Sequence, residues 1–236
     1  MSDITIDLLA ADQLATEVVA DSGEYLWAPP RPLFDPMKRC FDIALAVVVL
    51  VVLFPIWVVI GVLIKLSSPG PILFASTVVG RGGRPFTWYK FRTMLDGDDS
   101  HHTNWLKEFV ENDAPYNGNL YKVHPDPRVT TIGAVLRRFS LDEVPQFVNV
   151  LRGEMSVVGP RPPIMFEYNL YDHAKKRRLA IRPGISGLYQ VTGRSHQPFS
   201  GMLATDLDYI SRRSLLLDLR IMVRTVGVMI SGRGAA

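Results

Sequence analysis

Hydrophobic and polar positions are distributed very unevenly along this 236-residue chain. Residues 43–64, from Ile43 to Ile64, carry no formal charge, while Lys38 and Arg39 precede the run and Lys65 follows it. As one helix, these positions span about 33 Å, enough for a hydrocarbon core of roughly 30 Å. Pro55 lies at the middle of the run and removes a helix hydrogen bond there. Positive residues favour the cytoplasmic side of a membrane, and here they stand at both ends. A helix that enters the membrane, bends at Phe54-Pro55 and returns satisfies both features. An ordinary kinked crossing is the competing reading. A soluble core helix fits worse, because the run has no polar stripe to face water.

After this run the pattern changes period. Ile72 to Val79 and Phe86 to Phe91 read as two strands joined by the turn Gly80-Arg81-Gly82-Gly83-Arg84. Residues 96–120 are polar and read as helix plus loop. His101 and His102 near Asp98 and Asp99 suggest a metal cluster, but adjacent side chains diverge on a helix, so a solvated helix start is the simpler reading. Residues 132–151 read as mostly helical with an interruption near Ser140. Residues 164–180 read as a further helical stretch ending in Lys175-Lys176-Arg177-Arg178. That basic run is a solvated helix end or, second, a contact for anionic headgroups. Nucleic acid is disfavoured, because no binding motif or interleaved aromatic accompanies the charge. From Leu203 to Ile230 the chain is rich in Leu, Ile, Val and Met. Arg213, Arg220 and Arg224 fall on one helical face and Leu215, Leu219, Met222 and Val226 on the other, which suits either a core-facing helix or one lying in a membrane interface. The pattern therefore predicts an α+β protein, predominantly α, with a small β element.

Charge adds a division. The first 36 residues hold seven acids against Arg31 alone, which leaves +9 on residues 37–236 out of the net +3. A basic body suits anionic lipids or phosphate-bearing ligands. Pro29, Pro30, Pro32 and Pro36 break any helix continuing from a short amphipathic stretch at Leu8 to Val19, so residues 1–36 read as an extension and linker. The acidic start has no apolar core before residue 43 and is not a secretory signal. Cys40 is the single cysteine, which excludes an internal disulfide. Beside an apolar run it is a conceivable acylation site, although an inert or buried thiol is the simpler reading.

The chemistry concentrates at Ser140-Leu141-Asp142-Glu143-Val144-Pro145-Gln146. Ser140 and Glu143 have the spacing of a capping box, and either Ser140 or Asp142 suits the cap. A carboxylate in a first helical turn is held ionised by the helix dipole, and the same amides favour phosphate. An ionised Asp can attack phosphorus to give an acyl phosphate. Its neighbour can serve as a general base or hold a metal. Phosphoryl chemistry needs cations as well, and the candidates are Lys90, Arg92, Arg128, Arg137, Arg161, Arg182 and Arg194.

Several motifs share one order with a known family. They are Lys38-Arg39-Cys40-Phe41-Asp42, Pro69-Gly70-Pro71, Lys90-Phe91-Arg92-Thr93-Met94 and Asp126-Pro127-Arg128-Val129-Thr130. The Asp142-Glu143 segment, Gly159-Pro160-Arg161-Pro162, Arg182-Pro183-Gly184 and Gly193-Arg194 follow. From Met37 onward the chain resembles the monotopic phosphoglycosyl transferases, the bacterial sugar transferases that act on polyprenyl phosphate. The resemblance implies a re-entrant membrane helix over residues 37–66, interfacial amphipathic helices, and a catalytic domain over residues 67–236 on the cytoplasmic face of a bacterial inner membrane. It implies transfer of a sugar 1-phosphate from a UDP-sugar to undecaprenyl phosphate with release of UMP, at the start of exopolysaccharide, O-antigen or capsule-type assembly. Asp142 takes the nucleophile's place and Glu143 its partner's. Lys90, Arg137, Arg161 and Arg194 match positions that line the phosphate site, with Arg92 and Arg128 beside them. Mg²⁺ is expected at Asp142 and Glu143, with Asp206 as a further acid. A homodimer is compatible with this reading and not required by it. The C-terminal Leu-Leu-Leu-Asp-Leu-Arg pattern resembles the branch that moves hexose 1-phosphates such as galactose or glucose. One departure is Phe54, where the family often has Ser before the helix proline. That change bears on the bend rather than on the chemistry. A membrane-tethered scaffold and a glycosyltransferase that releases UDP are the rival classes.

Overall fold

The structure, a computed structural model, describes residues 28–97, 100–113, 128–192 and 198–231. Helix α1, Phe34–Ser67, is 34 residues long, and its helical assignment runs through Pro55. It starts ahead of the apolar run, with Asp35 in its first turn and Lys65 in its last, each at the end its charge favours. It is long and apolar enough to cross a membrane. Lys38, Asp42 and Ala46 near its start and Ile60, Gly61 and Ile64 near its end are buried. Between them Val51, Val52 and Phe54 are 68%, 66% and 62% exposed.

Strands β1, Leu73–Val79, and β2, Pro85–Phe91, pair antiparallel, with Leu73 opposite Phe91 and Val79 opposite Pro85. The hairpin forms as its alternation predicts. Gly82 and Gly83 close the turn with positive φ of 68° and 80°, a region that only glycine enters without strain. Helix α2, Ser100–Glu111, follows, and α3, Thr131–Arg138, is capped by the Thr130 hydroxyl, which accepts from the Gly133 amide at 2.9 Å. A β-carbon on Gly133 would lie 2.0 Å from the Thr93 carbonyl oxygen, so glycine is what lets α3 settle on the end of the hairpin.

A single 3₁₀ turn, Leu141–Glu143, precedes α4, Gln146–Arg152. Strands β3, Ser156–Val158, and β4, Gly184–Ser186, form a second, parallel pair. The expected helix over 164–180 is broken into α5, Met165–Asn169, α6, His173–Lys176, and a 3₁₀ turn over Arg177–Ala180. Helices α7, Leu188–Val191, α8, Phe199–Arg212, and α9, Leu215–Ser231, follow. Among the described residues the fold is mostly helical, with two small sheets.

Three apolar clusters hold it together. One joins Ala46 of α1 to Val78, Trp88, Val150, Val157, Tyr209 and Ile221. A second is aromatic, built on Trp105, Phe109, Tyr171 and Phe199. The third seats Ile60 and Ile64 of α1 on Phe91 and Leu136, with Trp57 edge-on to Phe91 at 5.7 Å.

Two expectations about basic residues need correction. Arg178 does not end a solvated helix. It is 2% exposed and joined to Glu167, Tyr171 and Asp206. Arg213 does not share the α9 face with Arg220 and Arg224. It lies in the break between α8 and α9, is 5% exposed, and donates to the carbonyls of Ile210 and Pro29. Of the α9 positions, Ile221 is buried, whereas Leu216, Leu219, Val223, Val226 and Ile230 form an exposed apolar stripe. Cys40 is exposed rather than buried. Of the histidine and acid cluster, Asp98 and Asp99 lie outside the described residues.

Candidate active site

The two adjacent carboxylates do not open a helix. Ser140 takes φ 52°, ψ 25°, a left-handed conformation, and its side chain caps nothing. The capping box is therefore absent, and Asp142 and Glu143 occupy their own 3₁₀ turn ahead of α4. Freed from a capping role, Glu143 reaches across to β2, where its Oε1 accepts from Lys90 Nζ at 2.8 Å. Lys90 lies two residues beyond Trp88 on the same strand face, and its ammonium stands 4.1 Å from the Trp88 ring centroid.

Asp142 is 7% exposed. Among the described residues no side chain hydrogen-bonds its carboxylate, and Lys90 and Arg137 act on it through space. Burial raises its pKa above the ordinary Asp value. Lys90 opposes that rise, Glu143 adds to it, and Arg137 and the Asp142 amide oppose it. The expectation that a helix terminus holds this group ionised is thus replaced. A buried carboxylate with strong cations near it but not on it is more basic than usual. Such a group is a better nucleophile once ionised, and it is poised for an electrophile or cation that completes its surroundings.

Of the other candidate residues, Arg137 stands in the last turn of α3 and joins this centre. Arg92 continues β2, and its Nη2 donates to the Ser68 carbonyl and hydroxyl at 2.8 and 2.9 Å, fastening the end of α1 to the hairpin. Arg128 lies across Gly97, where a β-carbon would come within 2.6 Å of its Cδ, and its carbonyl accepts from the Leu95 amide. The Arg161 carbonyl accepts from Arg178 Nη2 at 3.2 Å. Arg182 Nε donates to the Gly153 carbonyl at 2.8 Å, away from the dyad. Arg194 lies outside the described residues. Asp206 is paired with Arg178 at 2.7 Å in the buried Glu167–Tyr171 cluster. No group of three or more His, Cys, Asp or Glu among the described residues is placed to hold a metal ion. Sequence reasoning missed the Trp88 platform, which the i, i+2 spacing to Lys90 on a strand signals. It also missed the Arg178 cluster, whose members are far apart in sequence.

The protein-family model described as bacterial sugar transferase matches residues 34–232. The chain belongs to the bacterial sugar transferase family. The exopolysaccharide production protein ExoY of Sinorhizobium fredii is 40% identical over 208 residues, covering 87% of this chain and 90% of that protein. The UDP-glucose:undecaprenyl-phosphate glucose-1-phosphate transferase of Xanthomonas campestris is also 40% identical, over 201 residues, which cover 81% of this chain and 38% of that longer protein. The undecaprenyl-phosphate galactose phosphotransferase of Salmonella typhimurium is 34% identical over 202 residues, 84% of this chain and 41% of that one. This sugar transferase is accordingly an enzyme of the phosphoglycosyl transferase type, and its family match takes in both α1 and the Asp142–Glu143 turn.

Proposed function

We propose that the enzyme transfers a sugar 1-phosphate from a UDP-sugar to undecaprenyl phosphate, releasing UMP, by way of a phosphosugar carried on Asp142. The observation that carries this reading is the buried Asp142 carboxylate, bare of side-chain hydrogen bonds among the described residues and flanked by Lys90–Glu143 and Arg137. An oxygen of ionised Asp142 attacks the β-phosphorus of the donor. The bond from that phosphorus to the oxygen bridging the two phosphates breaks, and its electron pair leaves with UMP. The result is an acyl phosphate that bears the sugar. An oxygen of the lipid phosphate then attacks the same phosphorus, and the Asp142 carboxylate is regenerated. Lys90 holds Glu143 beside the reacting phosphate, where Glu143 accepts the proton of an incoming monoanionic lipid phosphate. Lys90 and Arg137 offset the charge that gathers on the phosphoryl oxygens.

Two adjacent hard carboxylates suit Mg²⁺, which binds through one or two carboxylates together with substrate phosphates. Asp142 and Glu143 would hold it, while Asp206 is committed to Arg178. Bound there, the ion would supply further charge neutralisation at the diphosphate.

The membrane arrangement that fits is re-entry from the cytoplasmic face of the inner membrane. Positions 38 and 64 would stand about 39 Å apart on a straight helix. Yet both ends of α1 are packed on the rest of the protein, Ala46 beside Val157 and Ile64 beside Phe91. A helix seated at both ends on one body keeps both ends on that body's side of the bilayer, with the exposed Val51, Val52 and Phe54 deepest. The apolar stripe of α9 suits the adjoining interface. Anionic lipids are then natural neighbours of the exposed Lys65. Tags at residues 1 and 236 should both be reached from the cytoplasmic side in cells, and tags found on opposite faces would refute re-entry.

The transfer reaction has a direct test. With a panel of UDP-sugars and undecaprenyl phosphate, the nucleotide product should be UMP. With donor alone, intact-protein mass should rise by one sugar phosphate, mapping to Asp142. Release of UDP instead would assign a glycosyltransferase that moves sugar without phosphate.

A further inference from the structure

A second basic centre lies at the other end of α1 from the dyad. There a cavity of about 100 Å³ is lined, among the described residues, by Lys38, Arg39, Arg81, Arg182 and Arg213 together with the carboxylates of Asp35 and Asp42. The charges are unevenly matched. Lys38 is neutralised by Asp42 at 2.7 Å and Asp218 at 3.2 Å. Arg39 donates to the Val150 and Leu151 carbonyls, where it complements the C-terminal end of α4. Arg213 spends its terminal nitrogens on the Ile210 and Pro29 carbonyls, and Asp35 is 4.0 Å from its Nε. Arg182 gives only Nε, to the Gly153 carbonyl. Among the described residues, its two terminal nitrogens have no protein hydrogen-bond partner. Arg81 enters from the β-hairpin turn. Burial and then repulsion from Arg182 and Arg213, partly offset by Asp35, lower the pKa of Arg81. Burial and repulsion from Arg39 do the same at Arg182. Among the described residues the cations here outnumber the carboxylates, which favours an anion between the guanidinium groups.

We propose that this cavity binds one phosphate group, with Arg182 as its principal donor. The volume holds about three waters at roughly 30 Å³ each, which suits one tetrahedral oxyanion. Pockets for whole small-molecule ligands run from roughly 300 Å³ upward, so this volume favours a single oxyanion over a whole sugar nucleotide. None of Lys90, Asp142 and Glu143 lines the cavity, so it is distinct from the reacting centre. Exposed Leu33, Met37 and Phe41 stand on the same first turns of α1 and offer an apolar side next to the cavity. The phosphate can therefore come from an anionic phospholipid headgroup or from a free phosphate-bearing solute. Either would join α1, the hairpin turn and the loop before β4 through one shared ligand.

The test uses the full chain in zwitterionic detergent micelles and reads thermal unfolding in two arms. One arm titrates inorganic phosphate. The other raises the mole fraction of phosphatidylglycerol against phosphatidylcholine. The proposal expects saturable protection in at least one arm, weakened roughly tenfold to a hundredfold by Arg182→Gln, the value of one or two charge-assisted hydrogen bonds. Lys90→Met should leave that protection unchanged. Arg81→Gln repeats the comparison if Arg182→Gln does not fold. Protection by phosphatidylglycerol alone identifies a headgroup site, and protection by inorganic phosphate identifies a site open to solutes. No protection in either arm, or protection that survives both arginine substitutions, overturns the proposal. Protection lost with Lys90→Met instead would place the phosphate at the dyad and also overturn it. The readout is binding and not turnover, so it stands or falls separately from the transfer reaction.

Discussion

Asp142→Asn is expected to lower turnover at least about ten-thousandfold, because in the proposed mechanism it removes the covalent nucleophile, and with it the pathway, and not merely a contact. The fold should survive. Burial raises the Asp142 pKa, so the ionised carboxylate costs stability at neutral pH, and a neutral amide of the same shape removes that cost. The variant should therefore melt no lower than the wild type. The same shift fixes the pH dependence. The reaction needs the ionised form, which is lost as pH falls through the folded-state pKa. The acid limb of kcat/KM should thus lie above the ordinary Asp range. Pre-steady-state UMP release and thermal melts across pH check both statements. Near wild-type UMP release by Asp142→Asn would remove this residue from the chemistry.

Arg178→Met is expected to have the largest effect on stability. Arg178 is 2% exposed and bonded to Tyr171, Glu167 and Asp206, and its carbonyl contact holds Arg161 in the turn after β3. Cutting away the guanidinium leaves two buried carboxylates without their cation, a loss of about 3–5 kcal/mol. For a chain of this size that is a fall of roughly 6–20 °C in Tm. The sign of the pH effect is informative. Burial already raises the Asp206 pKa, and Arg178 opposes that rise. Without Arg178 the protonated acid is favoured further, so acidification should recover part of the loss in this variant. Replacing Arg178, Glu167 and Asp206 together by neutral residues should recover more than Arg178→Met retains. A Tm unchanged in Arg178→Met would show that the cluster contributes nothing net.

The elements that were legible from sequence are those set by local physics. The uncharged run and its basic flanks gave α1, and alternation on either side of a glycine turn gave β1 and β2 within one residue of their ends. The interruption at Ser140 was also visible. Its form was not, because nothing in the residue type of Ser140 announces a left-handed φ. A capping box and a 3₁₀ turn share the same spelling there. Where partners are distant in sequence, pattern fails. Arg178 looked like one more charge in a basic run, yet Glu167 and Asp206 lie on other helices. The three-residue strands β3 and β4 pair in parallel across an intervening stretch of short helices, too short to carry a period of their own. The family motifs, by contrast, pointed to Lys90, Asp142 and Glu143 as parts of one site, because the order of several short motifs carries information that periodicity does not.

The buried contact between Lys38 and Asp218 ties α1 to α9. During synthesis the two are separated by nearly the whole catalytic body. At about 5–20 residues per second, the interval is on the order of ten to thirty-five seconds. Throughout it the apolar segment is already available to the bilayer, while Lys38 has only Asp42, its neighbour one turn along, for company. In the proposed membrane arrangement, insertion therefore precedes closure: the anchor is laid first, and α9 arrives as the latch that completes its polar foot.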